Sequence, residues 1–381
     1  MSEILSVSPI AAASMDEELA SLGKARVKVL GLGGGGSNAI NRMIELGLTG
    51  VEFIAANTDA QALEGSLAST KLQLGPRVTR GLGAGGDPKI GAAAAMESSR
   101  EIARALSGAD MVFLTAGMGG GTGTGAAPVA AEIAREVGAV TIAIVTMPFG
   151  FEMSRRSRNA MEGVRLLQPQ THTLITVPND RLLQVVPRDV SLEVAFRLAD
   201  DVLRQGVQGI AELVTRAGLV NVDFAHVREL MLRGGGALMA IGLGEGHKMA
   251  RAAVRQALHH PLVGIDSLEQ ASGVLLHFTG GDDLTLFEIS EAVEELRQTL
   301  SPDADIVFGA TTEPAMTGRT QAILIVTGIG GRPVPTVTEV VEQEAPETTL
   351  HAAVSPAERD LDLPAFLRRR VMLGTSSGGA G

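Results

Sequence analysis

The chain has 381 residues, 45% of them apolar and only 3% aromatic, with 32 Lys and Arg against 43 Asp and Glu, a net charge of −11. That length accommodates two domains whose cores must be aliphatic, since Trp and Tyr are absent. The acidic balance argues against broad nucleic-acid binding, and the lack of Cys excludes disulfides, thiol catalysis and cysteine metal sites. No secretory signal and no bilayer-length apolar run are visible, so a cytoplasmic protein without a membrane span is expected.

Residues 1–24 read as an N-terminal arm, with a short helix from Met15 to Leu22. From Arg26 to about Pro187, strand-like and helix-like runs alternate. Val27–Leu30, Val51–Ala56, Met111–Thr115, Val140–Thr146 and His172–Val177 have the β-branched, apolar character of buried strands. Helical runs Asn38–Leu46, Pro88–Ser107 and Ala126–Val137 lie between them. This alternation predicts an α/β domain over 25–190 with a doubly wound parallel sheet. Residues 191–216 predict one long amphipathic helix, with Leu192, Ala195, Phe196, Ala199, Val202 and Leu203 at helical spacing. A smaller α/β domain with a mixed sheet is expected over 217–331, from strands at Ala237–Gly242, Gly273–Phe278, Ala304–Phe308 and Ala322–Gly328. Thr285 and Glu288 predict a capping box there. The proline-bearing, acidic stretch 332–359 reads as a linker, and 360–381 as a docking peptide and tail.

Two glycine-rich loops carry the chemistry: Gly31-Leu-Gly-Gly-Gly-Gly-Ser-Asn38 and Gly117-Met-Gly-Gly-Gly-Thr-Gly-Thr-Gly125. Each follows a predicted strand and leads into a helix. Glycine lets backbone amides approach a ligand closely, and a helix N-terminus adds partial positive charge. Gly31, Gly33 and Gly36 also satisfy a dinucleotide fingerprint, with Asp59 placed where an acid would meet a ribose. No Walker-type Gly-Lys-Ser/Thr follows the glycines. The second loop, which presents amides and hydroxyls together, favours a triphosphate with Mg²⁺ over a dinucleotide.

Gly119 to Gly125 matches the tubulin signature loop. Together with Asn57–Leu63, Thr79–Gly85 and Val202–Ile210, it makes the chain resemble the FtsZ family of tubulin-like bacterial cell-division GTPases. The resemblance runs from about Arg26 to Gly328 and resumes at Asp360–Arg370. It implies a tubulin-like fold, and GTP or GDP with Mg²⁺ as cofactors. It also implies that Gly33, Gly34, Gly35 and Gly36, with Gly119, Gly120, Gly121, Thr122, Gly123 and Thr124, wrap the phosphates. By the same resemblance Ala84 and Gly85 sense the γ-phosphate, and Glu152 and Arg156 contact the ribose. Asn38, Asn179 and Asp200 would contact guanine, with Phe196 against its ring. A carboxylate suits guanine, whose N1–H and amino group donate. The family completes its catalytic centre with a loop from the next subunit. Here Asn221 and Asp223 match that loop, while His226 stands where the family carries a second acid.

The resemblance therefore implies a homopolymer at the midcell division ring that hydrolyses GTP between subunits. It binds a membrane adaptor through Asp362, Pro364, Phe366, Leu367 and Arg368, with neither nucleic acid nor a protein metal site involved. Three competing readings are a filament for plasmid or phage segregation, a GTP-binding scaffold whose hydrolysis is weakened by His226, and an NAD-dependent oxidoreductase using the first loop.

Overall fold

The computed structural model describes residues 25–152, 154–184, 190–216, 218–262, 268 and 271–329. The first strand, β1 (Val27–Leu32), lies between β2 (Val51–Asn57) and β4 (Met111–Gly117), parallel to both. A short β3 (Thr70–Gln73) extends the sheet beyond β2, and β5 (Val140–Met147) and β6 (Thr173–Pro178) continue it beyond β4. Alternate residues feed opposite faces. Val29, Phe53, Phe113 and Ile144 point into one core, while Leu30, Ile54, Leu114 and Val145 point into the other. Both faces are covered by helices, which is why these strands read as continuous apolar runs. Each fully buried large side chain contributes about 1.5–3 kcal/mol.

The second half joins the same sheet. β7 (Gly235–Glu245) pairs with β6 in parallel over three residues, Thr173↔Gly235 to Ile175↔Ala237. β8 (Gly273–Gly280), β9 (Asp305–Thr312) and β10 (Arg319–Ile329) complete the ten-stranded order β3-β2-β1-β4-β5-β6-β7-β10-β8-β9. β10 runs antiparallel to β7 and β8, whereas β9 is parallel to β8, so this half of the sheet is mixed as expected.

The helices of eight or more residues are α1 (Gly33–Glu45), α2 (Pro88–Glu97), α3 (Ser99–Leu106), α4 (Thr122–Glu136) and α5 (Ser154–Leu167). They continue as α6 (Leu192–Thr215), α7 (Phe224–Leu232), α8 (Met249–Leu258) and α9 (Leu286–Arg297). The single helix expected over 88–107 is two, because Ser98 turns its hydroxyl to the 73–75 segment, accepting from Gly75 N–H at 3.0 Å. β3 went unforeseen because Thr-Lys-Leu-Gln has no apolar run to announce it.

The capping box at Thr285 is half formed. Thr285 Oγ1 accepts from Glu288 N–H at 3.2 Å, but the Glu288 carboxylate accepts from Lys248 N–H instead, at the start of α8. The expected Met15–Leu22 helix, the 332–359 linker and the docking peptide lie outside the described residues. No described helix is long and apolar enough to cross a membrane.

Candidate functional site

In an open α/β sheet, ligands settle where the strand order reverses, beyond the carboxyl ends of the strands. Here that point lies between β1 and β4. The register Gly31↔Thr115 and Leu32↔Ala116 brings both glycine loops to the same level there. A cleft of about 410 Å³ opens between them.

The helices begin inside the glycine runs, about a turn earlier than their sequence suggests. α1 starts at Gly33 and α4 at Thr122, although glycine is a poor helix former. Close packing forces this. A Cβ on Gly36 would lie 2.4 Å from Thr115 O, and one on Gly125 would lie 1.9 Å from Pro88 O. Neither helix has a side-chain N-cap, so their first amides are left for a ligand.

The glycines divide into two groups by what a side chain would meet. Gly33 and Gly35 hold the loops together, a Cβ lying 2.9 Å from Gly123 N and 3.1 Å from Gly117 N respectively, although Gly35 also borders the cleft. Gly34 and Gly120 line the cleft, and a Cβ on either would meet nothing within 4 Å. That free space beside uncapped amides suits phosphate oxygens.

The remaining predicted residues are distributed around this floor. Asn38, Gly121, Thr122, Gly123, Glu152, Arg156, Asn179, Phe196 and Asp200 also line the cleft. Gly36, Gly119 and Thr124 stand behind it. The Thr124 hydroxyl accepts from Gly119 N–H at 2.8 Å, and the Thr122 and Thr58 hydroxyls share a 2.6 Å hydrogen bond, so both predicted hydroxyls are engaged within the protein. Ala84 is buried against the second loop, its methyl 2.8 Å from where a Gly121 Cβ would sit, and Gly85 follows it with φ +58°.

Glu152 and Arg156 form an ion pair, and Glu152 also accepts from Phe149 N–H at 2.9 Å. Phe196 meets Phe149 edge to face at 5.5 Å. Asn179 Oδ1 is buried at the cleft without a partner among the described residues, a group that a ligand donor would satisfy.

Asp200, half-buried on α6, makes no hydrogen bond among the described residues. Burial raises its pKa to about 7, opposed only by the charge of Arg42. Its neighbour Asp201 turns away and pairs with Arg204 at 2.7 Å. Sequence reasoning missed Thr146–Pro148 at the cleft. The rule that ligands sit beyond strand ends would have found them, since they close β5. Asp59 is not among the residues bordering the cleft; its carboxylate caps the 60–64 helix through Ala62 N–H at 3.0 Å.

Asn221, Asp223 and His226 lie elsewhere. α6 has 24 residues and so spans about 36 Å. It starts beside the cleft with Phe196 and Asp200 and ends at Thr215, against Gly50 just before β2, at the opposite end of the parallel strands. The three residues follow from there and border a separate groove of about 570 Å³ with Glu229, Arg233 and Asp305. Asn221 Oδ1 accepts from Gly218 N–H at 2.7 Å, and Asp223 caps α7 through Ala225 N–H at 2.9 Å. His226 is exposed one turn further on. No residue borders both cavities.

Comparison with known proteins bears on this arrangement. The Tubulin/FtsZ family GTPase domain matches residues 26–187, and the FtsZ-family C-terminal domain matches 235–330. The structure of an FtsZ point mutant from M. jannaschii is 45% identical, covering 84% of this chain and 96% of that one, with a TM-score of 0.79.

The chain belongs to the FtsZ family. An empty FtsZ dimer from M. jannaschii is 42% identical over 88% of this chain and 99% of that one, with a TM-score of 0.79. The GDP-bound monomer of CetZ1 from Haloferax volcanii, at 19% identity, covers 81% of this chain and 96% of that one with a TM-score of 0.69, and shows a shared fold alone. Family membership makes the 26–187 half a GTPase domain and sets aside the oxidoreductase reading. Among the described residues no group of three His, Asp or Glu side chains is placed to hold a metal ion. Mg²⁺ accompanying a triphosphate would be held by phosphate oxygens and water, as its reluctance to dehydrate favours.

Proposed function

We propose that this chain binds GTP in the glycine cleft, assembles head to tail into protofilaments, and hydrolyses the nucleotide where subunits meet, as part of the bacterial division ring. The observation that carries this reading is the separation of the two half-sites along α6. The cleft has uncapped amides for the phosphates, and its two acids, Asp200 and Glu152, are assigned to the base and the ribose, which leaves none for the attacking water. The 218–226 loop has Asn221 and Asp223, exposed, but no phosphate cradle. A heterologous contact that places one chain's loop over the next chain's cleft repeats without closing, and so builds a filament.

In that contact the uncapped amides of α1 and α4 bind the phosphates, and Asp200 accepts from guanine N1–H and the amino group. Asn221 and Asp223 of the neighbouring chain orient and polarise the attacking water. Mg²⁺ supplies charge neutralisation on the phosphates. The 360–370 segment, with Phe366 and Leu367 as apolar anchors beside Pro364, tethers the filament to a membrane adaptor, keeping the protein cytoplasmic at midcell.

The test is pelleting and phosphate release with GTP, against GDP, over a range of protein concentrations. Turnover per subunit should be negligible below an assembly threshold and rise sharply above it. Turnover independent of concentration would mean that each chain is catalytically complete by itself. Deleting Asp360 to Gly381 should spare GTP-driven pelleting and abolish adaptor recruitment. A second reading, a scaffold with weak hydrolysis, is favoured by His226: a neutral imidazole can accept a proton but lacks a carboxylate's charge.

A further inference from the structure

One polar side chain touches both loops that border the phosphate region, and the family resemblance did not single it out. Asn159 Nδ2 donates to Gly86 O at 3.3 Å and to Gly119 O at 3.4 Å. The two carbonyls belong to the 84–87 turn and to the second glycine loop. Arg155, one turn earlier on α5, reaches only Gly86 O, at 3.5 Å.

The surroundings explain why this amide is placed there. Gly163, one turn further along α5, allows the helix to sit directly on the start of α4. A Cβ there would lie 2.4 Å from Thr124 Cγ2 and 2.7 Å from Met118 Cε. That close approach carries Asn159, half-buried, against the loops. Gly119 is held on both sides, its N–H by Thr124 Oγ1 and its C=O by Asn159. Its φ of +103°, and the 2.9 Å that would separate a Cβ from Arg156 O, leave no room for another residue. On the far side, the turn meets the loop through Ala84 against Gly121. Contact packing thus sets how close the two loops stand, and Asn159 fixes their register.

We propose that Asn159 is a positioning residue that locks the 84–87 turn to the 119–123 loop, so that the grip on the terminal phosphates depends on its carboxamide. This rests on the cleft being a guanine-nucleotide site. The residues assigned to guanine, Asn179 and Asp200, lie on other elements, and Arg156, assigned with Glu152 to the ribose, is on α5 but is tied by its ion pair to Glu152 and not to the two loops. Loss of the lock should therefore be felt by the phosphate chain and not by the nucleoside.

Equilibrium binding of guanosine, GDP and GTP to the full chain tests this, with Asn159→Asp and Asn159→Gln beside wild type. Asn159→Asp removes both donors and sets a carboxylate against two carbonyl oxygens. GTP affinity should fall about tenfold, as expected for one or two lost hydrogen bonds. GDP affinity should fall less, and guanosine affinity should be unchanged. Asn159→Gln keeps the donors on a longer arm and should recover most of the GTP-to-GDP ratio.

An unchanged ratio in a folded Asn159→Asp chain would overturn the proposal while leaving the nucleotide site standing. Equal losses for guanosine and GTP would also overturn it, by showing a general loss of structure. Failure of wild type to bind any of the three ligands would instead sink the reading of the cleft.

Discussion

In the proposed site Asp200 meets two demands that conflict in the free protein. To read guanine it must be a carboxylate, yet burial without a hydrogen-bond partner holds its pKa at about 7, against an ordinary 3.8. Guanine binding should therefore release a proton near neutrality. GTP affinity should rise about tenfold per pH unit below 7 and level off above about 8. Asp200→Asn should weaken binding and flatten this profile; a wild-type affinity constant from pH 6 to 8.5 would contradict the assignment. The stability sign is the opposite. The folded chain holds the proton more tightly than the unfolded one, so this contribution is full below 3.8 and is lost as pH rises towards 7.

Asp223 also has two jobs, since it caps α7 as well as facing the groove. Asp223→Ala would lose the cap, at about 1 kcal/mol, and confuse the two. Asp223→Asn keeps a capping oxygen and removes the charge. It should leave the Tm close to wild type while slowing phosphate release by about 10²–10⁴-fold. His226→Asp should do the reverse and speed turnover. Steady-state phosphate release above the assembly threshold checks both.

The two glycine loops look equivalent by composition but not by packing. Gly121 borders the cleft, yet the Cβ of Gly121→Val would point at Ala84 Cβ, 2.8 Å away, and Asp87 N, 3.0 Å away. It should push out the 84–87 turn, cost about 1–3 kcal/mol of stability by overpacking, and abolish GTP binding indirectly. Gly120→Ala meets no protein atom within 4 Å, so it should keep wild-type stability and weaken GTP binding by filling the cleft alone. Thermal melts beside nucleotide titrations separate the two effects, and an unstable Gly120→Ala would contradict this division. Helix starts were hard to read for the same reason. Propensity places α1 and α4 after the glycines, and only contacts such as Gly36 against Thr115 O draw the helices into them.

Across the whole molecule, α6 separates the cleft from the groove bordered by Asn221, Asp223 and His226, which the proposed function makes two halves of one site. Two variants, each lacking one half, should then complement each other. Gly121→Val chains retain the 218–226 loop, and Asp223→Asn chains retain the cleft. Mixed above the threshold, they should release phosphate although each alone does not. A mixture as inactive as its parts would exclude a site shared between subunits. The sheet is also continuous where composition suggested two separate domains: β6 pairs with β7 over Thr173–Ile175. That join was invisible in the sequence because a three-residue pairing leaves no periodic signal.

The sequence by itself determined the buried strands, the long helix α6 and the phosphate-binding character of the glycine loops. Strands buried on both faces announce themselves as apolar runs. Thr285 stands at the helix start it marks, and glycine next to a helix start means an open backbone. Tertiary structure alone decided which glycines face the cleft and which face each other, because that depends on the distance between β1 and β4 and their shared register. It alone placed Asn159 between two loops distant from it in sequence. It alone set Asp223 beyond the far end of α6 from Asp200. Local patterns carry information over a helical turn or a pair of strand residues. What lies opposite what is set by packing between segments far apart in the chain.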